Sequence, residues 1–300
     1  MADQPNDADI NALDVTDAEA AEINSIAHPL VADPAPDAND DLVRIDATTD
    51  GVVFVTLNRP EKKNAFDAAT IAALHEAFET LHGADHVRAV FVRGAGGTFS
   101  AGADLNWMRD AADWSEADNR DDALGLARML KALHDVPALT YAVVEGAAMG
   151  GGAGLMAACD VAVAVKDAKI RFSEVRLGLT PATISPFVVR AIGPRYARAL
   201  FATGEGFDGE FAHKIGLAQY VVESADELDD MMEYLGKLAF QTAPGAVRDA
   251  KALVDMVADR EINDDLLRKT AHQIADRRVS DEGREGLAAF LEKRKPYWAD

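Results

Sequence analysis

The spacing of hydrophobic residues divides this 300-residue chain into an aperiodic opening, a middle of strand-like runs between helices, and a helical close. From Val43 the pattern alternates. Val43 and Ile45, then Val53, Val55 and Leu57, predict half-buried strands joined by a turn at Asp50-Gly51. Asp67 is placed to cap a helix carrying Ile71, Leu74, Phe78 and Leu81 on one face and ending near Gly83. A strand over 89–92 runs into a loop of small residues, 94–104, and then an amphipathic segment with Leu105, Trp107 and Met108. Beyond a linker around 110–113, a helix opens at Ser115, keeps Leu126, Leu130 and Leu133 on one side, and ends at Pro137. Tyr141, Val143 and Val144 predict a buried strand, and Val161, Val163 and Val165 another. From Pro186 the chain reads as helical: 187–192, 195–201 and 208–215. A further helix follows with a capping box of Ser224 and Glu227 and an apolar stripe of Leu228, Met231, Leu235 and Leu238. Two or three more helices complete the chain. Strands with intervening helices first and helices last predict an α/β core with a helical C-terminal part. The expected organisation is a tail at 1–40, a core at 41–205 and a helical region at 206–300.

Between the strand at Tyr141 and a short buried helix at 155–158 lies a turn holding Gly146, Gly150, Gly151 and Gly152. Consecutive glycines cost backbone entropy and are tolerated where φ is positive or something must approach the main chain closely. A strand that ends in glycines opening a helix gathers free N–H groups and the positive end of a helix dipole. Such a point suits a phosphate, a carboxylate or a carbonyl oxygen gaining negative charge. The alternative is that the glycines only allow close packing of helix on sheet.

Charge narrows the partners. The chain carries 51 acids and 30 bases, a net charge of -21. Ten of the acids, and no Lys or Arg, fall within residues 1–40, which read as a mobile extension with a transient helix around 18–26. Nucleic acid and anionic membranes are thereby disfavoured as partners. An anionic substrate requires the remaining bases to gather near its site, and Arg59, Lys62 and Lys63 form one such group. No run reaches the roughly 18 apolar residues of a membrane span, and the acidic N-terminus does not read as a signal or transit peptide. The single cysteine, Cys159, rules out an internal disulfide, reads as a small buried residue, and fits a cytoplasmic setting.

Two strand-to-loop junctions, around Ala103 and around Gly151, can each present backbone N–H groups. A pair of such donors is an oxyanion hole, able to stabilise an enolate or a tetrahedral intermediate. No GxSxG, HExxH or CxxC sequence is present, and His82 and His86 are separated by Gly83, so metal or triad chemistry is not expected. A dinucleotide turn fails on spacing, since Ala148 follows Gly146 at the second glycine's place and Leu155 stands at the third's.

In order and spacing, FSAGADLNWM (99–108), EGAAMGGGAGLMAACD (145–160) and FSEVRLGLTP (172–181) resemble the crotonase (enoyl-CoA hydratase/isomerase) family. RPEKKNAF (59–66) and FLEKRKP (290–296) match it as well. The resemblance covers about residues 42–298. Within the family, the segment from Ser173 to Gly193 is most similar to the methylglutaconyl-CoA and isohexenylglutaconyl-CoA hydratases. The resemblance implies an α/β fold, a spiral of ββα turns closed by an α-helical trimerisation region, assembling as a homotrimer or homohexamer. It implies that the N–H groups of Ala103 and Gly151 hold the thioester oxygen of an acyl-CoA substrate. It further implies that Lys63, Ala65, Ala101, Gly102, Asp104 and Leu105 line the CoA path, and that 293–295 reach the CoA of a neighbouring subunit. CoA belongs to the substrate, and no separate cofactor or metal is expected.

The departure lies at the acids. Two-glutamate hydratases carry one glutamate two residues after the third glycine and another twenty residues on. Here those positions are Gly154 and Glu174. By position Glu174 is the proton-transfer residue, and its alternative is a surface carboxylate paired with Arg171 or Arg176. Either Glu174 works alone through one water, or another residue helps, or the reaction needs no water. At Gly154 a gap of one side chain is expected beside Glu174. Glu145 and Asp104 read as backbone-bonding residues that shape their loops. Trp107 and Met108 line an acyl pocket or pack in the core. The first reading is hydration of a 2-enoyl-CoA, with a branched glutaconyl-type acyl group as the finer expectation. The alternatives are a Δ3–Δ2 enoyl-CoA isomerase and a non-catalytic acyl-CoA binder.

Overall fold

Residues 41–299 are described by the structure, a computed structural model, and the expected acidic tail at 1–40 lies outside them. Strand β1 (Val43–Ala47) folds back antiparallel on β2 (Val52–Leu57), pairing Val43 with Leu57 and Ala47 with Val53. Helix α1 (Ala68–His82) begins where Asp67 accepts the Thr70 N–H, and it returns the chain to β3 (Ala89–Gly94), parallel to β2. Helices α2 (Leu105–Ala111) and α3 (Glu116–His134, capped by Ser115) lead to β4 (Leu139–Val144), parallel to β3. A short strand, β5 (Ala147–Met149), then leaves the main sheet. It feeds α4 (Gly151–Ala158), and β6 (Val161–Val165) comes back beside β4.

Next come β7 (Lys169–Arg171), α5 (Ser185–Thr203, kinked at Gly193), β8 (Gly206–Phe207), α6 (Gly209–Lys214) and β9 (Tyr220–Val222). Six strands form the main sheet in the order β1-β2-β3-β4-β6-β9, and β5-β7-β8 form a second, smaller one. The repeated return from one sheet to the other through helices is the spiral of ββα turns. Among the described residues five α-helices follow β8: α6, then α7 (Leu228–Phe240), α8 (Pro244–Val257), α9 (Asp264–Val279) and α10 (Asp281–Glu292).

Burial departs from simple alternation. All of β2 is buried, because it lies between β1 and β3 in a sheet against which α1 packs at β1 and α7 at β3 and β6. On the α7 face, Phe54, Phe91 and Tyr141 stand in register and stack, with ring centres 5.5 and 4.8 Å apart. Ile45, expected half-buried, is 52% exposed, since β1 is an edge strand with one neighbour. The expected capping box at Ser224 does not close. A 3₁₀ turn over 225–227 precedes α7, and Glu227 Oε2 accepts the Glu223 N–H instead. The tighter turn shifts the phase, so Met232, Leu235 and Ala239 are buried while Met231 and Leu238 are only half-buried.

Two basic residues fasten the helical region to the core. Arg88 at the start of β3 donates to the carbonyls of Ala239 (3.0 Å) and Thr242 (2.6 Å), at the negative end of α7. Lys251 of α8 donates to the Val136 and Ala138 carbonyls (2.6 and 2.9 Å) and to Asp160 Oδ2 (2.6 Å). Among the described residues, no helix is long and apolar enough to cross a membrane, and no cluster of His, Cys, Asp and Glu could hold a metal ion.

Candidate active site

The two small-residue loops lie against each other. Ser100 bridges Ala148, and Gly152 opens α4 so close to Ser100 that a Cβ there would meet Ser100 Cβ at 2.7 Å. Phe66 donates its N–H to Gly102 O (2.7 Å) and accepts the Asp104 N–H (2.7 Å). In that parallel bridge the N–H of Ala103 faces away from Phe66. At the other loop, Gly150 donates to Arg171 O (2.9 Å) and Gly154 to Gly150 O (3.0 Å), while Gly151 N–H is an orphan of the first turn of α4. No acceptor for the Ala103 or Gly151 N–H occurs among the described residues. Both donors remain available to an oxygen that gains charge.

A frame holds the first loop. Asn64, buried and at φ 55°, donates to the Ala95 and Thr98 carbonyls (2.8 and 2.6 Å) and accepts the Arg59 N–H at 2.9 Å. Ser100 Oγ donates to Asn64 O (2.9 Å) and accepts the Gly102 N–H at 3.2 Å. The Arg59 guanidinium reaches Ala65 O (2.7 Å), Asp67 (2.9 Å) and Asp104 (3.2 Å). Asp104 also caps α2 by accepting the Asn106 N–H (2.8 Å), and that bond holds its carboxyl below the usual range despite burial. Asp104 therefore shapes the loop. Asn64 and Ser100 went unremarked in the sequence reading and Arg59 was noted only as one of a group of bases, although the matched segments contain all three, because their bonds join segments distant along the chain.

Glu174 arrives through the second sheet. Pairing of β5 with β7 sets Met149 opposite Arg171, so the residues just beyond each strand meet. The Glu174 carboxylate lies over the glycine turn, with Oε1 3.3 Å from where a Gly150 Cβ would stand. Gly150, at φ 49°, thus meets two demands that favour glycine: a left-handed backbone and space for the carboxylate. Oε2 is buried without a hydrogen-bond partner among the described residues, and burial pushes the carboxyl above its ordinary range. The surface ion pair is not formed. Arg176 Nε donates to Gly204 O (2.9 Å), and Arg171 lies against Gly206 with its buried Nε unpartnered. A desolvated, unpaired carboxylate beside two free N–H donors has the composition of a proton-transfer site.

The gap expected at Gly154 does not exist. A Cβ at Gly154 would fall 2.2 Å from Ile184 Cγ2 and 2.7 Å from Ile184 Cβ, and Ile184 itself is 1% exposed. The place of the first glutamate is taken by an apolar side chain from the turn leading into α5. Burial pushes the Cys159 thiol up, away from the thiolate form.

Of the positions implied for CoA, Leu105 is 76% exposed, Lys63 is exposed, and Ala101 is half-buried. Lys63 sits at φ 51°, its carbonyl accepting the Ala101 N–H at 2.9 Å. Ala65 and Gly102 are buried, and their carbonyls serve the frame. Lys62, noted in the sequence only as one of the bases of 59–63, points to Asp104 (3.7 Å). Near the C-terminus Arg294 is bound to Glu285 and Glu292, with Lys293 and Lys295 exposed on either side.

A two-sheet spiral that presents paired N–H donors beside one buried carboxylate holds the parts needed to stabilise an oxyanion and move a proton. The profile described as enoyl-CoA hydratase/isomerase matches residues 47–300, and the chain belongs to that family. The human enoyl-CoA hydratase domain-containing protein 2, mitochondrial, is 32% identical over 254 residues, covering 82% of this chain and 85% of that protein. An enoyl-CoA hydratase structure from Shewanella pealeana is similar at 37% identity and TM-score 0.82, covering 86% of this chain and 96% of that one. The structure of Pseudomonas aeruginosa AtuE is similar at 36% identity and TM-score 0.83, covering 87% of this chain and 100% of that one.

Proposed function

We propose that this enzyme adds water to a 2-enoyl-CoA whose acyl group is branched and of glutaconyl type. The observation that carries the reading is the buried Glu174 carboxylate, with Oε2 unpartnered, beside the Gly150–Gly151 turn. The Ala103 and Gly151 N–H groups would hold the thioester oxygen and stabilise the enolate. Glu174 would take a proton from water as the water oxygen bonds the β carbon, then pass a proton to the α carbon. One carboxylate cycles and the atoms balance as addition of water. Sequence similarity of the 173–193 segment to the methylglutaconyl-type hydratases supports the acyl class.

A Δ3–Δ2 isomerase is the second reading, favoured by Ile184 standing where a water-holding glutamate would be. A 1,3-proton shift needs one base only. The deciding assay offers a panel of 2-enoyl- and 3-enoyl-CoA esters and follows products by mass. The expected result is a 3-hydroxyacyl product, formed best from methylglutaconyl-type esters. A shifted double bond with no hydroxyacyl product would establish the isomerase. Glu174→Gln should keep acyl-CoA binding and lower turnover about 10²–10⁴-fold. Near-normal turnover would remove Glu174 from the mechanism, and binding without turnover or enolate proton exchange in the wild type would favour a non-catalytic binder. Self-association is part of the proposal: Phe290 and Leu291 are 80% and 78% exposed, and α8 and α9 bury no residue within the chain. Light scattering should give the mass of a trimer or hexamer.

A further inference from the structure

The Ala103 and Gly151 N–H groups stand on separate loops, and one buried residue, Phe66, touches both. Its main chain brackets Ala103: the Phe66 N–H donates to Gly102 O and the Phe66 carbonyl accepts the Asp104 N–H, both at 2.7 Å. That parallel bridge turns the Ala103 N–H away from Phe66 and fixes its direction. The Phe66 ring meets the other loop. Its Cδ2 and Cε2 lie 3.1 and 3.3 Å from where a Gly151 Cβ would stand, inside the usual carbon contact of about 3.5–4 Å. Leu126 Cδ2, from α3, reaches the same point at 4.0 Å. The space a side chain at 151 would need is therefore filled by the ring.

A spacer must itself be fixed, and Phe66 is tied on both sides. Asn64, before it, holds the Ala95 and Thr98 carbonyls (2.8 and 2.6 Å). Asp67, after it, caps α1 at the Thr70 N–H (2.8 Å) and receives Arg59 (2.9 Å). Elsewhere the loops are joined by hydrogen bonds: the Ser100 N–H donates to Ala147 O (2.8 Å) and Ser100 O accepts the Met149 N–H (3.0 Å). These bonds end at Met149, short of the donor. Beyond it the turn is held by packing, Gly152 on Ser100 and Gly151 on the Phe66 ring. An oxyanion is stabilised only when both N–H groups converge on one oxygen, so the separation of the donors decides the rate. Close-packed interiors pass a displacement on to the next group.

We propose that Phe66 is a positioning residue: its main chain holds Ala103, its ring holds Gly151, and together they set the separation of the two N–H groups that would grip the thioester oxygen. This rests on the oxyanion assignment made above. It applies to water addition and to a double-bond shift alike, since each passes through an enolate at the same oxygen.

The test compares wild type with Phe66→Ala, Phe66→Leu and Phe78→Leu, the last a truncation of an equally buried ring on α1. It reads kcat and KM for an enoyl-CoA that turns over. It also reads the infrared C=O stretch of a bound saturated acyl-CoA labelled with carbon-13 at the thioester carbon. Hydrogen bonds lower that stretch, so the band reports on the donors without turnover. Phe66→Ala should lower kcat about 10- to 100-fold with KM within a few fold, as expected for a donor misplaced by about 1 Å, and move the band toward that of the free ester. Phe66→Leu keeps a δ carbon at the contact and should lose less on both counts. Phe78→Leu should leave the band in place. The proposal is overturned if Phe66→Ala keeps the wild-type band or the wild-type kcat, or if Phe78→Leu moves the band as far. Should Phe66→Ala fail to fold, the band of Phe66→Leu decides, a displacement supporting the proposal and the wild-type position overturning it. A wild type whose bound ester shows the band of the free ester would instead overturn the oxyanion assignment itself, a distinct outcome.

Discussion

Adding one methyl group at Gly154 tests the packing that displaced the first glutamate. In a helix interior Gly→Ala gains about 1 kcal/mol from propensity. Here the new Cβ would lie 2.2 Å from Ile184 Cγ2, well inside contact distance. Ile184 is 1% exposed and has no free space into which to swing, so overpacking should cost about 1–3 kcal/mol. The net effect of Gly154→Ala is then a loss of about 0–2 kcal/mol. Removing Ile184 reverses the sign. Ile184→Ala alone should cost about 2–5 kcal/mol, but adding Gly154→Ala to it should recover about 1 kcal/mol. The coupling between the two sites is therefore about 1–3 kcal/mol, beyond the scatter of about 0.5 kcal/mol for independent sites. Urea denaturation of the four proteins at one matched concentration measures it, the matching being needed for a self-associating chain. Equal stabilisation by Gly154→Ala in both backgrounds would refute the steric account. By the same reasoning Gly154→Glu on its own should misfold rather than shift substrate preference toward neutral enoyl-CoA.

Burial raises the Glu174 carboxyl, so the folded protein holds that proton more tightly than the unfolded chain, and stability is lost as pH rises through the folded value. Glu174→Gln should therefore melt higher than wild type near neutral pH, with the difference vanishing below about pH 4, the ordinary glutamate range; a gap that persists in acid would contradict the stated cause. Lys251→Met removes three hydrogen bonds and leaves Asp160 with the Thr140 N–H and hydroxyl only. It should cost about 1–3 kcal/mol and speed proteolysis of the C-terminal helices; unchanged denaturation and cleavage would show that the lysine fastens nothing. Arg59→Lys keeps the charge but not the fork that reaches Ala65, Asp67 and Asp104. A drop in kcat/KM of about tenfold or more is expected as the Ala103 loop loosens, and unaltered kinetics would show that the loop holds its shape without Arg59.

Several elements follow from adjacent residues alone. Asp67 and Ser115 cap the helices they precede because each side chain bonds an N–H three residues on. The loops around Ala103 and Gly151 could be singled out from local chemistry, as small-residue turns after strands with glycines opening a helix, whereas Glu174 was singled out by its position in the family resemblance. The α/β core with a helical end followed from the periods of the hydrophobic pattern. Tertiary structure decided the remainder. Whether position 154 holds a gap or a wall depends on Ile184, and whether Ile45 is covered depends on β1 lying at the sheet edge. Asn64 matters because it joins the loops at Ala95 and Thr98 to Arg59, and Glu174 stands over Gly150 only through the pairing of β5 with β7. Caps and amphipathic faces arise from contacts a few residues apart, which a linear reading can see. Steric exclusion and desolvation belong to the space between segments brought together by folding, and no single segment encodes them.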